Sequence, residues 1–362
     1  MSIALAQLQA RNPTEPTVRR LRHLIEAAAL RTVALLIVAL PRRLAVVLGQ
    51  ALGWAAYFLL ATDRRVALAN LDIAFGDTRP RREKRRLARA AFQNFGRNLV
   101  GLFWSPRLDP DNIRRYVDLD PANWQWFQQV RSRGNGVILI SAHYGDWELG
   151  LLAAGFLGAA CTTVTEPTTN PAIERMITAL RSASGHTTVH PRFAMVKLFK
   201  ALRRGGTIAM LIDVNARRGR GGVWLDFFGL PVFNTPAVAQ LARRTGAAIV
   251  FVVAHPLPGC RVKLLFGPQI ALADSGDEDD DVQTTSQRCL DECAALVRGH
   301  PEHWLWTYKR WKRRPAADAG TYPFYSKYDA NTARAPAQAA PDARETAPPL
   351  ELPPPSPGRL AA

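Results

Sequence analysis

"GVILISAHYGDWELG", Gly136 to Gly150, is the stretch that decides the fold. Val137 to Ile140 form a short apolar run bounded by glycine and serine, which reads as a strand buried on both faces. Beyond Gly145 the pattern changes to "WELGLLAAGFLG", a helix. A histidine, His143, stands at the junction. In open α/β sheets ligands bind beyond the carboxyl ends of the strands, so the junction is a candidate site. Glu148 follows five residues later. On one continuous helix that spacing points two side chains to different faces. With His143 on the non-helical entry and Gly145 allowing a tight approach, Glu148 can reach back to the ring. It would then fix the tautomer and raise the basicity of the other nitrogen, giving a base able to deprotonate a hydroxyl. Taken alone, the pair is explained equally well by a capping glutamate and a histidine satisfied by a backbone carbonyl. No G-x-S-x-G motif offers a serine nucleophile instead.

Outward from this stretch, strands and helices alternate. "CTTVTE" (161–166), "TIAMLIDV" (207–214), "AAIVFVVAHP" (247–256) and "RVKLLFGPQI" (261–270) read as strands. "NPAIERMITALRSASG" (170–185) reads as a helix capped by Asn170, with Pro171 in its first turn. "MVKLFKALRRGG" (195–206) is amphipathic, and "NTPAVAQLARRTG" (234–246) starts at Thr235 and stops at Gly246. An acidic loop and a helix close the series at 277–304. The order predicts an α/β fold, a mostly parallel central sheet flanked by helices. Asp213 ends the strand at 207–214 and so projects to the same rim as His143. The following "ARRGRGG" sets Arg217, Arg218 and Arg220 in a glycine-rich, phosphate-friendly loop without the Lys-Ser/Thr of a P-loop. Arg181 adds a cation on a nearby helix.

Two apolar segments precede this domain, Leu24 to Leu40 and Leu44 to Ala61, with arginines at 19, 20, 22, 42, 43, 64 and 65. They read either as a pair of core helices packed on the main domain or, the expected reading, as N-terminal membrane-associating helices, spanning or interfacial; basic flanks on both sides set no orientation. The expected organisation is a membrane-associating region at 1–75, an α/β domain at 76–314 and a disordered Pro/Ala-rich tail at 315–362, too poor in large apolar residues to order itself. The 47 Lys and Arg against 30 Asp and Glu give a net charge of +17, which fits a polyanionic partner: nucleic acid, an anionic membrane or a phosphorylated substrate. No nucleic-acid recognition motif is present, so nucleic acid is not the expected partner. The four cysteines, Cys161, Cys260, Cys289 and Cys293, form neither a disulfide framework nor a zinc spacing. They read as buried thiols, and no metal is expected.

"HYGDWE" fits the H-x4-D/E pattern in the form H-x-G-x-W-E. With "RVALANLDIAFGD", the block from Ala201 to Val250 that carries "DFFG", and the ending "PEHWLWTYKRWKRRP", the sequence resembles the bacterial lipid A biosynthesis acyltransferases from about Arg22 to about Pro315. The resemblance implies an enzyme at the cytoplasmic face of the inner membrane. It would transfer a fatty acyl chain from acyl carrier protein, its co-substrate, to a hydroxyl of an anionic, phosphorylated glycolipid, with no cofactor. It makes His143 the base, Glu148 its partner acid, and Arg181 and Asp213 substrate-binding members of the second and third blocks, Asp213 either holding the nearby arginines or contacting a sugar hydroxyl. Arg217, Arg218 and Arg220 would hold phosphate or acidic sugar. Two positions depart from the family pattern: Asp146 stands where asparagine is usual, and Tyr308 where a histidine is common. Trp224, Phe227 and Phe228 are candidate walls for an acyl chain, though core packing explains each as well. The competing readings are a different lipid acceptor, such as a mannosylated phosphoinositide or an aminolipid, and an inactive membrane-attached binding protein of the same fold.

Overall fold

The computed structural model describes residues 17–217, 221–315, 322–329 and 352. Three N-terminal helices lead in: α1 (Thr17–Ala39), α2 (Arg42–Leu59) and α3 (Ala61–Phe75). Pro41 separates the first two, since proline cannot continue the hydrogen-bond ladder of a helix. The long α4 (Arg81–Trp104) follows, then α5 (Pro121–Ser132), α6 (Trp147–Phe156), α7 (Pro171–Ser182), α8 (Ala194–Arg203), α9 (Ala237–Thr245) and α10 (Glu278–Gly299). Asn170 caps α7 by accepting from the amides of Ala172 and Ile173, and Gly246 ends α9 in the left-handed conformation, both as the sequence predicts.

The central sheet has seven strands: β1 (Val117–Asp118), β2 (Val137–Ser141), β3 (Thr162–Val164), β4 (Thr187–Val189), β5 (Thr207–Leu211), β8 (Ala248–Leu257) and β9 (Arg261–Ile270). Their order is β1-β9-β8-β2-β5-β3-β4, and every pairing is parallel except the β8–β9 hairpin. The expected mostly parallel sheet with flanking helices is what forms. A separate hairpin, β6 (Val223–Phe227) with β7 (Leu230–Asn234), follows the rim loop after β5. It buries Trp224, Phe227 and Phe228, so these three side chains pack the core and are not among the residues lining the cavity described below.

Register sets the site. Val137 pairs with Thr207 and Ser141 with Leu211, and the Ile212 amide donates to the Ser141 carbonyl. His143 and Asp213 therefore each lie two residues beyond the same rung of adjacent parallel strands. Odd residues of β2 and even residues of β2 enter different cores, because successive strand side chains alternate.

The helix α4 touches both of these cores and carries α2 on its outer side. That contact is a glycine contact. Gly49 and Gly53, four apart on α2, lie on Gly96 of α4 so closely that a Cβ on Gly53 would sit 2.2 Å from the Phe92 carbonyl oxygen, and one on Gly96 2.1 Å from that of Gly49. Small residues at this spacing let two helix backbones approach. The outward side of α1 and α2 leaves Leu24, Leu36, Leu52, Trp54 and Phe58 exposed. No single helix among the described residues is long and apolar enough to cross a membrane; α2 and the segment from Ala61 to Thr78 meet the length and composition only as a pair bent by 92°.

The chain does not leave the domain at residue 315. Residues 322–329 lie against it: β11 (Lys327–Tyr328) pairs with β10 (Arg313–Arg314), the buried Tyr325 donates to Asn70 Oδ1, and Tyr322 donates to the Pro231 carbonyl. "TYPFYSKYD" contains four aromatic residues, enough apolar surface to dock where the Ala/Pro-rich stretch has none. The rest of the expected tail, apart from Leu352, falls outside the described residues.

The glycine contact gives a stability prediction. Gly53→Val places branched carbon against helix backbone that cannot give way, so unfolding should become easier by about 1–3 kcal/mol. A urea unfolding midpoint below that of the parent protein checks it; an unchanged midpoint would mean that α2 is not docked through Gly53.

Candidate active site

A buried carboxylate holds the histidine. Asp213, only 2% exposed, accepts three hydrogen bonds. His143 Nδ1 lies 2.9 Å from Oδ1, the His143 backbone N–H donates to Oδ2 at 2.8 Å, and the indole Nε1–H of Trp304 donates to the same oxygen at 2.8 Å. A carboxylate only accepts, so Nδ1 carries the proton and Nε2 of the neutral ring keeps its lone pair. Burial alone would raise the Asp213 carboxyl; the adjacent His143 ring and the donated hydrogen bonds reverse this and hold it below the usual carboxylate range. Burial likewise works to lower His143, and the charge and hydrogen bond of Asp213 outweigh it, leaving the imidazole above its ordinary value of 6.5.

This corrects the expectation that Glu148 orients the ring. Glu148 lies in the first turn of α6, and its carboxylate is taken in a fork by Arg181 of α7: Arg181 Nε reaches Oε2 at 3.0 Å and a second guanidinium nitrogen reaches Oε1. Register decides between the two acids. Parallel pairing of β2 with β5 carries Asp213 to the His143 backbone, whereas the helical turn after Gly145 swings Glu148 toward α7. Glu148 remains near enough to act on the ring as a charge. Arg181, bound in that fork, supplies its charge to Glu148 first, and burial is more than offset by it.

The loop between β2 and α6 is clamped from behind. Gly145 has φ +62°, and a Cβ there would lie 2.1 Å from the Ala254 carbonyl oxygen, so only glycine fits. Its carbonyl accepts from the side-chain amides of Asn94 and Asn98 on α4. Its N–H donates to the His303 carbonyl at 3.0 Å, and the Asp146 N–H donates to Ala254 at 3.1 Å. Neither amide is thus free to bind a ligand. The next two amides, of Trp147 and Glu148, have no acceptor among the described residues, and both residues line the cavity.

Asp146 is fully buried and accepts from the Leu149 amide as the cap of α6. It also stands 3.3 Å from the guanidinium of Arg42 on α2 and 3.4 Å from that of Arg97 on α4. An aspartate where asparagine is usual therefore supplies the countercharge for two buried arginines. The acid ties the N-terminal helices to the loop that carries the histidine.

Asp213 has its own clamp. Asn234 donates to the Ile212 carbonyl at 3.1 Å, and the fully buried Arg310 donates to Asn234 Oδ1 at 3.1 Å and to Asn215 Oδ1 at 3.3 Å. The Asn215 amide donates to the Tyr308 hydroxyl at 3.0 Å. Trp304 and Arg310 belong to the "PEHWLW…RW" ending, and nothing local in that segment names Asp213 as its target. Behind the loop, Tyr144 shares a 2.8 Å hydrogen bond with His255 Nδ1. Burial and the neighbouring imidazoles push His255 down to about 3, and burial pushes His303 down to about 4.

His143 opens onto a cavity of about 1150 Å³ that wraps the carboxyl rim of the sheet. Under α6 its walls are small and apolar: Leu139, Gly150, Ala154, Ala209, Val252 and Leu264. On the other face Met195, Leu198, Ala237 and Gln240 line it. Arg217 is also in the wall and is paired with Glu166, while Arg218 and Arg220 lie outside the described residues. Of the residues singled out by sequence, His143, Glu148, Arg181, Asp213 and Arg217 meet at this rim. Cys289 and Cys293 are buried on α10.

The chain is similar in sequence to known proteins. The sequence model of the family described as bacterial lipid A biosynthesis acyltransferase matches residues 14–313. The lipid A biosynthesis lauroyltransferase of Escherichia coli (strain K12) is 24% identical over 296 residues, 79% of this chain and 91% of that protein. The lipid A biosynthesis palmitoleoyltransferase of the same strain is 25% identical over 290 residues, 79% and 90% of the two chains. A phosphatidylinositol mannoside acyltransferase of Mycolicibacterium smegmatis (strain ATCC 700084 / mc(2)155) is 25% identical over 227 residues, 62% and 72%.

A base that works through Nε2 must be unprotonated. Any activity that depends on it should fall as the pH drops through a value above 6.5, well clear of His255 and His303. Asp213→Asn removes what raises the imidazole, so the acid limb of the kcat/KM profile should move to lower pH while the plateau falls. A limb that stayed in place would mean that another group titrates there.

Proposed function

The chain belongs to the bacterial lipid A biosynthesis acyltransferase family, and we propose that it transfers a fatty acyl chain from acyl carrier protein to a hydroxyl of a phosphorylated glycolipid of the lipid A precursor type. The observation that carries this reading is an imidazole with its lone pair free at Nε2, facing a cavity whose α6 side is lined by small apolar residues. Such a slot suits an alkyl chain; a charged or sugar-like group would lose its hydration there without replacement.

In this mechanism His143 Nε2 takes the proton of the acceptor hydroxyl as its oxygen attacks the thioester carbonyl. Asp213 keeps the tautomer correct and stabilises the imidazolium that forms. The oxyanion is met by the N–H groups of Trp147 and Glu148, the amides at the start of α6 left without an acceptor, where the positive end of the helix dipole adds to them. Collapse of the tetrahedral intermediate breaks the carbon–sulfur bond, and the departing thiolate recovers the proton from His143. Glu148 and Arg181 act as a fixed pair that holds α6 against α7 and shapes the mouth. Arg217, with Arg218 and Arg220, is assigned to the acceptor's phosphate. The basic balance of the chain favours encounter with an acidic carrier protein and an anionic bilayer.

The site of action is the cytoplasmic face of the inner membrane, a reading supported by the exposed apolar side of α1 and α2 with its flanking arginines. The match to a phosphatidylinositol mannoside acyltransferase favours a second reading, acyl transfer to a different lipid acceptor by the same chemistry.

Mass spectrometry of membrane lipids with and without the gene tests the substrate: a difference of one acyl group on a phosphorylated glucosamine lipid is expected, and the same difference on another lipid selects the second reading. His143→Ala should lower turnover by about 10²–10⁴-fold or more, since a positioned base typically supplies that much. Turnover like that of the parent enzyme would remove His143 from the mechanism.

A further inference from the structure

Helix α8 and the turn that precedes it, Pro191–Phe193, have two apolar sides where the fold needs one. Inward, Ala194, Leu198 and Leu202 are buried against the sheet at helical spacing. Outward, Phe193 is 63% and Val196 60% exposed, with Met195 and Phe199 exposed beside them. A surface helix that is apolar on the side facing away from its core has that side available for something else. The same segment, "PRFAMVKLFKALRR" (191–204), contains five basic residues and no acidic one. Arg192, Lys197, Lys200, Arg203 and Arg204 are all exposed.

Its position is as informative as its composition. Pro191, Ala194, Met195 and Leu198 line the cavity that holds His143, so the helix forms part of the mouth. Pro191 comes two residues after β4 ends, and the Thr165 amide, just past β3, donates to the Val189 carbonyl. Six residues beyond the end of β3, Asn170 donates to the His23 carbonyl and to Glu26 of α1. The exposed Leu21, Leu24 and Ile25 of α1 therefore stand at the same carboxyl rim of the sheet as α8.

We infer that the outward face of α8, centred on Phe193, Val196 and Phe199 and rimmed by Arg192, Lys197 and Lys200, inserts into the surface of an anionic bilayer as a second contact apart from the N-terminal helices. Large apolar side chains entering the acyl boundary, with cations at headgroup level, are what such a face provides. Contact on both sides of the mouth presses the cavity onto the membrane, so that a lipid-borne acceptor reaches His143 without its chains crossing water. An acidic carrier protein would answer the charges of this helix but leaves the phenylalanines without a counterpart of their own kind, which favours the bilayer as occupant. The inference rests on the proposed action on a lipid acceptor.

The test uses the full chain. Val196→Cys, made with Cys260→Ser to remove the one cysteine that is not buried, is labelled with an environment-sensitive fluorophore. It is then mixed with vesicles of phosphatidylethanolamine and phosphatidylglycerol, with vesicles of phosphatidylcholine alone, or with soluble acyl carrier protein. Insertion predicts a blue shift with the anionic vesicles, weak or absent with the zwitterionic ones and with the carrier. In flotation, the combined variant Phe193→Ser, Val196→Ser, Phe199→Ser should bind the anionic vesicles about tenfold more weakly, the scale expected on losing three apolar side chains from an interface. Its turnover with detergent-dispersed acceptor should match the parent, because none of the three residues lines the cavity. A shift with carrier protein and none with vesicles makes α8 the carrier's docking face and overturns the inference; so does no shift with either. Insertion by a protein that acylates no lipid would leave the membrane face standing and bring down the proposed function instead.

Discussion

Three hydrogen bonds converge on the carboxylate of Asp213, and the architecture around it follows from having to satisfy that one buried charge. An ionised acid out of contact with water is tolerated only when its oxygens are fully engaged. Two of the bonds come from His143 on the neighbouring strand end and one from Trp304 near the far end of the chain. The acid is thus at once the partner of the ring and the knot joining β2, β5 and the C-terminal segment. Arg310, Asn234 and Asn215 then fix the backbone on either side of it. The cost of burying the charge is what makes its geometry unambiguous, because any other arrangement leaves a donor or the acid unpaired.

The same logic recurs at the N-terminal helices with opposite sign. Arg42 and Arg97 are buried, and Asp146 is the carboxylate near both. Since Asp146 also caps α6, the charge that keeps α2 and α4 in place is fixed to the loop presenting His143. The helices facing the proposed membrane and the helix carrying the proposed oxyanion donors are therefore one mechanical unit. The glycine contact between α2 and α4 serves that unit, because side chains at Gly49, Gly53 or Gly96 would part the helices and draw Arg42 away from its acid.

Much of this was legible in sequence. β2, β5 and β8 are apolar runs, Asn170 and Gly246 mark helix ends, and His143 and Asp213 both stand where an apolar run gives out, which is enough to put them on one rim. What the residues did not reveal was which acid meets the ring. Sequence distance favours Glu148, five positions away, over Asp213, seventy positions away, and the decision belongs to strand register, a non-local property. The short β4 carries the same "TTV" as β3 with no further signal around it, and the β6–β7 hairpin is hidden because its aromatics resemble a ligand wall as much as a core. The docking of residues 322–329 was missed because composition was averaged over a tail whose first part is aromatic and whose remainder is alanine and proline. The two glycines of α2 are the surface on which it packs, a role that only the partner helix reveals.

The span of the Asp213 network has a consequence for biosynthesis. Its donors are separated from it by 70 and 91 residues, and Arg310 lies further still. Contacts of such range form late, after the loops between them have closed. A nascent chain that has emerged only through Asn215 has its aspartate but neither indole nor guanidinium to receive it, so the rim must stay wet until Trp304 and Arg310 leave the ribosome. The candidate site is in this sense sealed from the C-terminal side, and translation that stops short of Trp304 leaves a sheet whose most expensive charge has nowhere dry to go.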